Sequence, residues 1–124
     1  GSSVEMQADI DDACNNSSIM PDAVLAAHAH NYQRFTRFTT FKGKKLQIPF
    51  IVCGSGGRGI TKVAKADGKK IGEYVFNASL MDYGYLLISC SQKSLIIQFN
   101  QVNNMGNKKN YDKITIDLKT NTIK

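Results

Sequence analysis

The last third of the chain carries the pattern that most constrains the fold, three short strand-like stretches, the last of which alternates apolar and polar residues. These stretches are residues 83–90, 94–102 and 113–118, and polar turns separate them. In the third stretch Ile114 and Ile116 share one side of an extended chain, because successive side chains of a strand point to opposite faces. A strand that buries only one face needs a partner layer, so the pattern predicts an antiparallel β-meander in a sandwich.

The first half of the chain predicts a hairpin and a helix. Residues 35–41 are rich in β-branched and aromatic side chains, residues 46–52 are almost continuously apolar, and the Lys-Gly-Lys-Lys sequence between them is typical of a hairpin turn. Pro49 has no backbone N–H to donate, so it is expected at a sheet edge or a bulge. Residues 4–15 place apolar side chains at helical spacings among acidic ones and predict one short amphipathic helix. The expected fold class is α+β, mostly β, a fragment of an α/β sandwich.

The composition fits one globular domain, and the sequence argues against a membrane or a nucleic acid as partner. The 124 residues are 42% hydrophobic and 21% charged, which is ordinary for a single domain. No apolar run approaches the roughly 18 to 20 residues of a membrane span, so no membrane partner is expected. The net charge of +6 favours anions of any kind. The lysine-rich residues 61–72 lack interleaved aromatic side chains, which disfavours nucleic acid and predicts a solvated excursion.

Residues 21–34 contain the only two histidines of the chain, His28 and His30. The apolar residues 23–27 before them follow a Pro-Asp pair and predict a fully buried strand that ends at the histidines. Side chains two apart on a strand share a face and lie roughly 6 to 7 Å apart, which suits two metal ions about 3.5 to 4 Å apart. One interpretation is a shared dinuclear centre. The other is a pair of histidines that hydrogen-bond to backbone or water.

A glycine-rich segment, residues 54–59, follows the second strand of the predicted hairpin. Consecutive glycines can present backbone N–H groups to an anion, and Arg58 lies among them. The segment matches neither of the glycine patterns of nucleotide-binding loops, so a nucleotide site is not expected. Two interpretations stay open for Arg58, which either contacts a substrate phosphate or faces water on a wide turn.

Two sequence blocks resemble, in this order, the C-terminal portion of calcineurin-like metallophosphoesterases, in particular the purple acid phosphatase branch. They are Asp-Ala-Val-Leu-Ala-Ala-His-Ala-His-Asn-Tyr-Gln-Arg at residues 22–34 and Pro-Phe-Ile-Val-Cys-Gly-Ser-Gly-Gly at residues 49–57. The resemblance implies a phosphatase whose metal-bound hydroxide hydrolyses a phosphate ester at two metal ions of the Fe, Zn or Mn type. It implies that His28 ligates one ion and His30 the other.

The resemblance also implies roles for three further residues. Tyr32 and Arg34 match the Tyr-x-Arg of the family and are expected to orient and pack the site from a second layer. Arg58 belongs to the loop that borders the active-site cleft in that family, where it would lie at the rim of the bound substrate.

The metal-binding motifs that come earlier in this family have no match in the 124 residues. They are Asp-x-His, Gly-Asp-x-x-Tyr, Gly-Asn-His-Asp and a further histidine. A catalytic metal ion normally has at least three protein ligands, and here each ion would keep one. We therefore expect residues 4–124 to be the C-terminal portion of an enzyme, with no catalytic residue and no stably bound metal of its own, whereas its parent is active. Residues 1–3, Gly-Ser-Ser, are interpreted as a tag remnant.

A different class of function stays open, that of a non-enzymatic, β-rich binding or interaction module. A portion of a larger sandwich exposes strand edges and apolar surface that the whole would cover, and such edges pair with other chains. Self-association through exposed sheet edges is therefore expected. Upstream coding sequence discriminates between the two classes, because only the enzyme needs Asp-x-His and Gly-Asn-His there.

Overall fold

Two β-sheets packed against each other form most of the protein, in a computed structural model that describes residues 4–124. The interpretation of residues 1–3 as a tag remnant lies outside the described residues. In chain order the elements are α1 Val4–Ser17, β1 Val24–Ala26, β2 Tyr32–Phe41, β3 Lys44–Cys53, β4 Lys70–Ile71, β5 Tyr74–Leu80, β6 Gly84–Cys90, β7 Ser94–Val102, β8 Lys108–Asp117 and β9 Thr122–Ile123. The predicted α+β, mostly β class with one N-terminal helix is confirmed. This helix, α1, is too short and too polar to cross a membrane.

The second sheet, in the order β6-β7-β8-β9, is the predicted C-terminal meander, and all of its pairs are antiparallel. The structure extends it in two ways. The strand predicted at residues 113–118 begins earlier, at Lys108, because its polar first residues pair with β7 across a bulge between Phe99 and Asn100. The two-residue strand β9 was not predicted, since two residues are too few to show an alternation.

The first sheet has the order β1-β3-β2-β5-β4 and contains the predicted hairpin. Its two-residue turn has φ of 49° at Lys42 and 76° at Gly43, and such paired positive values match the right-handed twist of the strands. Pro49 lies in β3, which pairs with β2 along its length but with β1 only at Phe50, Ile51 and Val52. On the β1 side, Pro49 therefore occupies the locally open edge that the sequence predicted.

The prediction of a fully buried strand at residues 23–27 is wrong in both length and burial. β1 spans only Val24–Ala26, and the side chain of Leu25 is 47% exposed. The reason is its position at the edge of the first sheet, where it pairs with β3, in parallel, and with no other described strand. The strand also ends before the histidines rather than at them.

Side chains from both sheets meet in one core between the layers. Its fully buried members are Tyr32, Ile51, Ile97, Phe99, Ile114 and Ile116. The ring of Tyr32 from the first sheet stacks on the ring of Phe99 from the second, with centroids 4.2 Å apart. On α1, Asp11 accepts two hydrogen bonds from Arg37 of β2, at 2.6 and 2.9 Å, which ties the helix to the first sheet.

Replacing Ile116 by Val removes one methylene group from this core. Changes of this kind cost about 0.5 to 1.5 kcal/mol of unfolding free energy at well-packed sites, and Ile116 is 0% exposed. Urea unfolding followed by circular dichroism should show a lower midpoint for Ile116→Val. The matched control is Ile71→Val, at a position that is 80% exposed, and its midpoint should not move. Equal midpoints for the two variants would contradict a core at this place.

Candidate functional site

The carboxyl ends of two neighbouring parallel strands define the candidate site. β1 leads into the segment Ala27 to Asn31, here called the histidine turn, and β3 leads into Gly54 to Gly59, here called the glycine loop. Because β1 and β3 are parallel, both segments leave the sheet at the same end, the one where the two strands terminate. Ligands of open α/β sheets bind beyond the carboxyl ends of the strands.

The histidine turn folds back on itself through local hydrogen bonds. The N–H of Ala29 donates to the carbonyl of Ala27 at 3.0 Å, and the N–H of Asn31 donates to the carbonyl of Ala29 at 2.8 Å. Between the first pair, His28 adopts a φ of 74°, the left-handed region that few residues other than glycine occupy. Such positions cost on the order of 1 to 3 kcal/mol and cluster at functional sites.

This turn corrects the prediction that His28 and His30 project from one face of an extended strand. Pairing between β1 and β3 ends at Ala26, opposite Val52, and the next backbone groups bond to each other instead of to a neighbouring strand. A same-face spacing derived from extended backbone therefore does not apply here. Both histidines nevertheless lie in one five-residue turn.

The ring of His30 is held by the glycine loop. Its Nδ1 atom lies 2.9 Å from the carbonyl oxygen of Gly59, and the N–H of Thr61 donates to the carbonyl of His30 at 3.0 Å. A carbonyl oxygen only accepts, so Nδ1 carries a proton, and in the neutral ring the lone pair is then on Nε2. Metal-binding histidines usually have this arrangement, in which the second ring nitrogen donates to a carbonyl or carboxylate. His28 is exposed.

Gly54 allows the glycine loop to approach the histidine turn. A Cβ atom at this position would overlap the carbonyl oxygen of Ala29, and the N–H of Gly54 donates to the carbonyl of Asn31 at 3.2 Å. One residue further, the carbonyl of Ser55 accepts from the N–H of Gly84, which joins the loop to the second sheet. Arg58 lies exposed near the tip of the loop, clear of these contacts.

Tyr32 and Arg34 are joined to the second sheet by one carboxylate. The Tyr32 hydroxyl donates to Oδ2 of Asp112 at 2.8 Å, while Arg34 donates from Nε to Oδ2 at 2.6 Å and from Nη2 to Oδ1 at 3.1 Å. Burial, reinforced by the Asp112 charge, holds the pKa of Tyr32 well above its ordinary value. Burial opposes the charge on Arg34, but its hydrogen bonds to Asp112 outweigh this and raise the pKa of the guanidinium.

These contacts make the two residues a bridge between the sheets that begins directly after the histidine turn. The sequence analysis missed the third member, Asp112. A signal for it exists, because Asp112 stands two residues before Ile114 and four before Ile116, on the face that turns into the core. An acidic residue in register with two core isoleucines indicates a buried partner of opposite charge.

The side chains around the two histidines do not complete a metal site by themselves. Within residues 4–124, no three His, Cys, Asp or Glu side chains lie together in a way that could hold an ion. The positioned Nε2 atom of His30 and the exposed ring of His28 have the chemistry of metal ligands, and further ligands would come from other polypeptide.

Comparison with known proteins finds no relative of this chain. No protein-family model, no curated protein and no solved structure matches the chain. The resemblance to metallophosphoesterases therefore stands on the two sequence blocks quoted above.

Removing the shared carboxylate by Asp112→Ala should destabilise the protein strongly. The pair is largely buried, with the Arg34 and Asp112 side chains 12% and 14% exposed, and breaking such a pair costs about 3 to 5 kcal/mol because a charge is left unpaired. Urea unfolding measures the loss, and Asp112→Asn, which keeps the size and the acceptor oxygen, should lose less. The control is Asp67→Ala, which removes an exposed pair with Lys69 and a local bond from its N–H and should lower the midpoint far less. A midpoint as high for Asp112→Ala as for this control would show that the bridge does not hold the sheets.

Proposed function

We propose that this chain is the C-terminal portion of a dinuclear-metal phosphoesterase, in which His28 and His30 each supply one metal ligand. The glycine loop with Arg58 borders the phosphate of the substrate. By itself the chain is inactive, because the remaining ligands belong to other polypeptide of the parent protein.

The observation that carries this proposal is the pairing of the histidine turn with the glycine loop at the carboxyl ends of two parallel strands. The contact between His30 Nδ1 and the Gly59 carbonyl leaves Nε2 free to coordinate. A loop of small residues beside it leaves room for a phosphate, and Arg58 is the cation that this loop carries. Bound metal ions would neutralise phosphate oxygens and increase the acidity of water at the site.

The open side of the sandwich supports the idea that further polypeptide belongs there. β1 and β6 are edge strands of the two sheets, and a groove of about 520 Å³ between them is lined largely by apolar atoms. Its walls include Leu25, Ala26, Cys53, Gly84 and Leu86. A strand edge beside an apolar groove is the surface that additional strands of a larger sandwich would cover.

Metal content and phosphatase activity test the proposal in the proposed parent protein, which would include polypeptide upstream of Val4. The parent should retain about two ions and hydrolyse p-nitrophenyl phosphate. His28→Ala and His30→Ala should each weaken metal binding by at least about 100-fold, since even partners of metal ligands are worth about 10- to 100-fold. Asn104→Ala, at an exposed turn position, is the control and should change neither quantity.

The 124-residue chain should show neither retained metal nor turnover in the same assays. Tight, stoichiometric metal that His28→Ala removes from this chain would overturn the claim that it is inactive for want of ligands. A parent whose activity survives both histidine substitutions would refute the ligand assignment.

A second candidate function, that of an interaction module that pairs through its sheet edge, is favoured by the exposed side chains of β6. Tyr85, Leu87 and Ile88 are 38%, 51% and 45% exposed, although they lie in a regular strand. Within the described residues, β6 pairs with β7 and leaves its other edge open. Open, apolar edges of this kind pair with a second chain.

Self-association through β6 should be sensitive to a charge on that strand. Light scattering coupled to size-exclusion chromatography should give a molar mass that rises with concentration, and Leu87→Lys should abolish the rise because a lysine on an edge strand opposes pairing. Met105→Lys adds the same charge at a site that is 84% exposed and should leave the rise intact. A monomer at all concentrations would rule out this second function for the isolated chain.

A further inference from the structure

Asn31, which lies between His30 and Tyr32, is almost fully buried at 2% exposed. A buried amide is costly unless its donors and acceptors are satisfied. Here they are: Nδ2 faces the Thr61 carbonyl at 3.4 Å, the Thr61 hydroxyl at 3.2 Å and the Lys62 carbonyl at 3.5 Å, while Oδ1 accepts from Gln33 Nε2 at 2.8 Å. The side chain therefore joins the start of β2 to the segment that follows the glycine loop.

The orientation of this amide follows from its partners. Carbonyl oxygens only accept hydrogen bonds, so the atom of Asn31 that faces the carbonyls of Thr61 and Lys62 must be the nitrogen. Its oxygen is then left to accept from Gln33. An aspartate of the same shape would place an oxygen against two carbonyl oxygens and repel them.

The same segment carries the acceptor that orients His30. The carbonyl of Gly59 lies two residues before Thr61, and Thr61 is bound both to the Asn31 side chain and, through its N–H, to the carbonyl of His30. Gly59, Thr61 and Lys62 are thus each bonded to the histidine turn. Loss of the Asn31 contacts would leave the segment held to the turn by the two His30 contacts alone, and so loosen the position of the Gly59 oxygen.

We propose that Asn31 is a positioning residue that sets the tautomer of His30 by holding residues 59–62 against the histidine turn. It does not contact the metal or the substrate. The inference rests on the proposed function, since the nitrogen that this tautomer leaves free is the one proposed to bind metal. The tautomer of His30, however, can be measured in the 124-residue chain without metal.

Nitrogen-15 NMR of the imidazole rings in alkaline buffer, where imidazoles are neutral, reports the tautomer of each histidine. The chain has two histidines, so His28 serves as an internal reference in every spectrum. We expect His30 to be protonated at Nδ1 in the unsubstituted chain. Asn31→Asp should shift His30 toward a mixture of tautomers and leave His28 unchanged. The Thr61 amide should exchange its hydrogen roughly tenfold faster, since the Asn31 bonds that help to hold its segment are lost.

Two further variants keep the test decisive if Asn31→Asp unfolds the protein. Thr61→Val removes one acceptor of the Asn31 amide without burying a charge, and it should shift the His30 tautomer in the same direction to a smaller extent. Asn104→Asp makes the same chemical change at an exposed position and should leave the His30 signals unchanged. A His30 ring that stays protonated at Nδ1 in folded Asn31→Asp, or in Thr61→Val if Asn31→Asp does not fold, would overturn the inference.

Failure of this inference and failure of the proposed function give different results. If Asn31 sets the tautomer but the parent binds no metal, the NMR shifts appear and the metal analysis is negative. If the parent binds metal through His30 but another contact fixes the ring, metal loss in His30→Ala appears without a tautomer shift in Asn31→Asp.

Discussion

A single carboxylate, that of Asp112, fixes how the two sheets align at the end where the candidate site lies. It accepts from both Tyr32 and Arg34, so one acidic group of the second sheet satisfies a buried phenol and a buried guanidinium of the first. The stacking of Tyr32 on Phe99 places apolar contact directly beside this polar bridge. Hydrophobic packing joins two layers without choosing their alignment, whereas a bidentate ion pair with a third donor fixes it.

That bridge also fixes the position of one end of the histidine turn. Its last residue, Asn31, is bonded covalently to Tyr32, and its other end leaves the short edge strand β1. Between these ends the turn is confined by Gly54, whose missing side chain lets the glycine loop touch the Ala29 carbonyl. The exposed and strained His28 is thus framed by residues with fixed partners, Gly54 on one side and Asn31 on the other.

Much of the fold could be predicted from the sequence, because it rests on patterns that repeat within a few residues. The strand-like runs of β6, β7 and β8 and the Lys-Gly turn of the β2–β3 hairpin are of this kind. The end of β1 could not be predicted, since it depends on how far β3 offers hydrogen bonds to a strand more than twenty residues away. The family resemblance drew attention to Tyr32 and Arg34, but not to their partner Asp112, which lies 80 and 78 residues later.

The topology of the two sheets also bears on how the chain folds as it is synthesised. The second sheet is built from consecutive strands, whereas Tyr32 finds its stacking partner and its carboxylate in that sheet, up to 80 residues further along the chain. At 5 to 20 residues per second, a ribosome needs roughly 4 to 16 s to add that length. For that interval the aromatic start of β2 has no core to enter. Vectorial synthesis thus makes the histidine region well before the meander that completes its packing, and leaves it accessible to chaperones until the meander emerges.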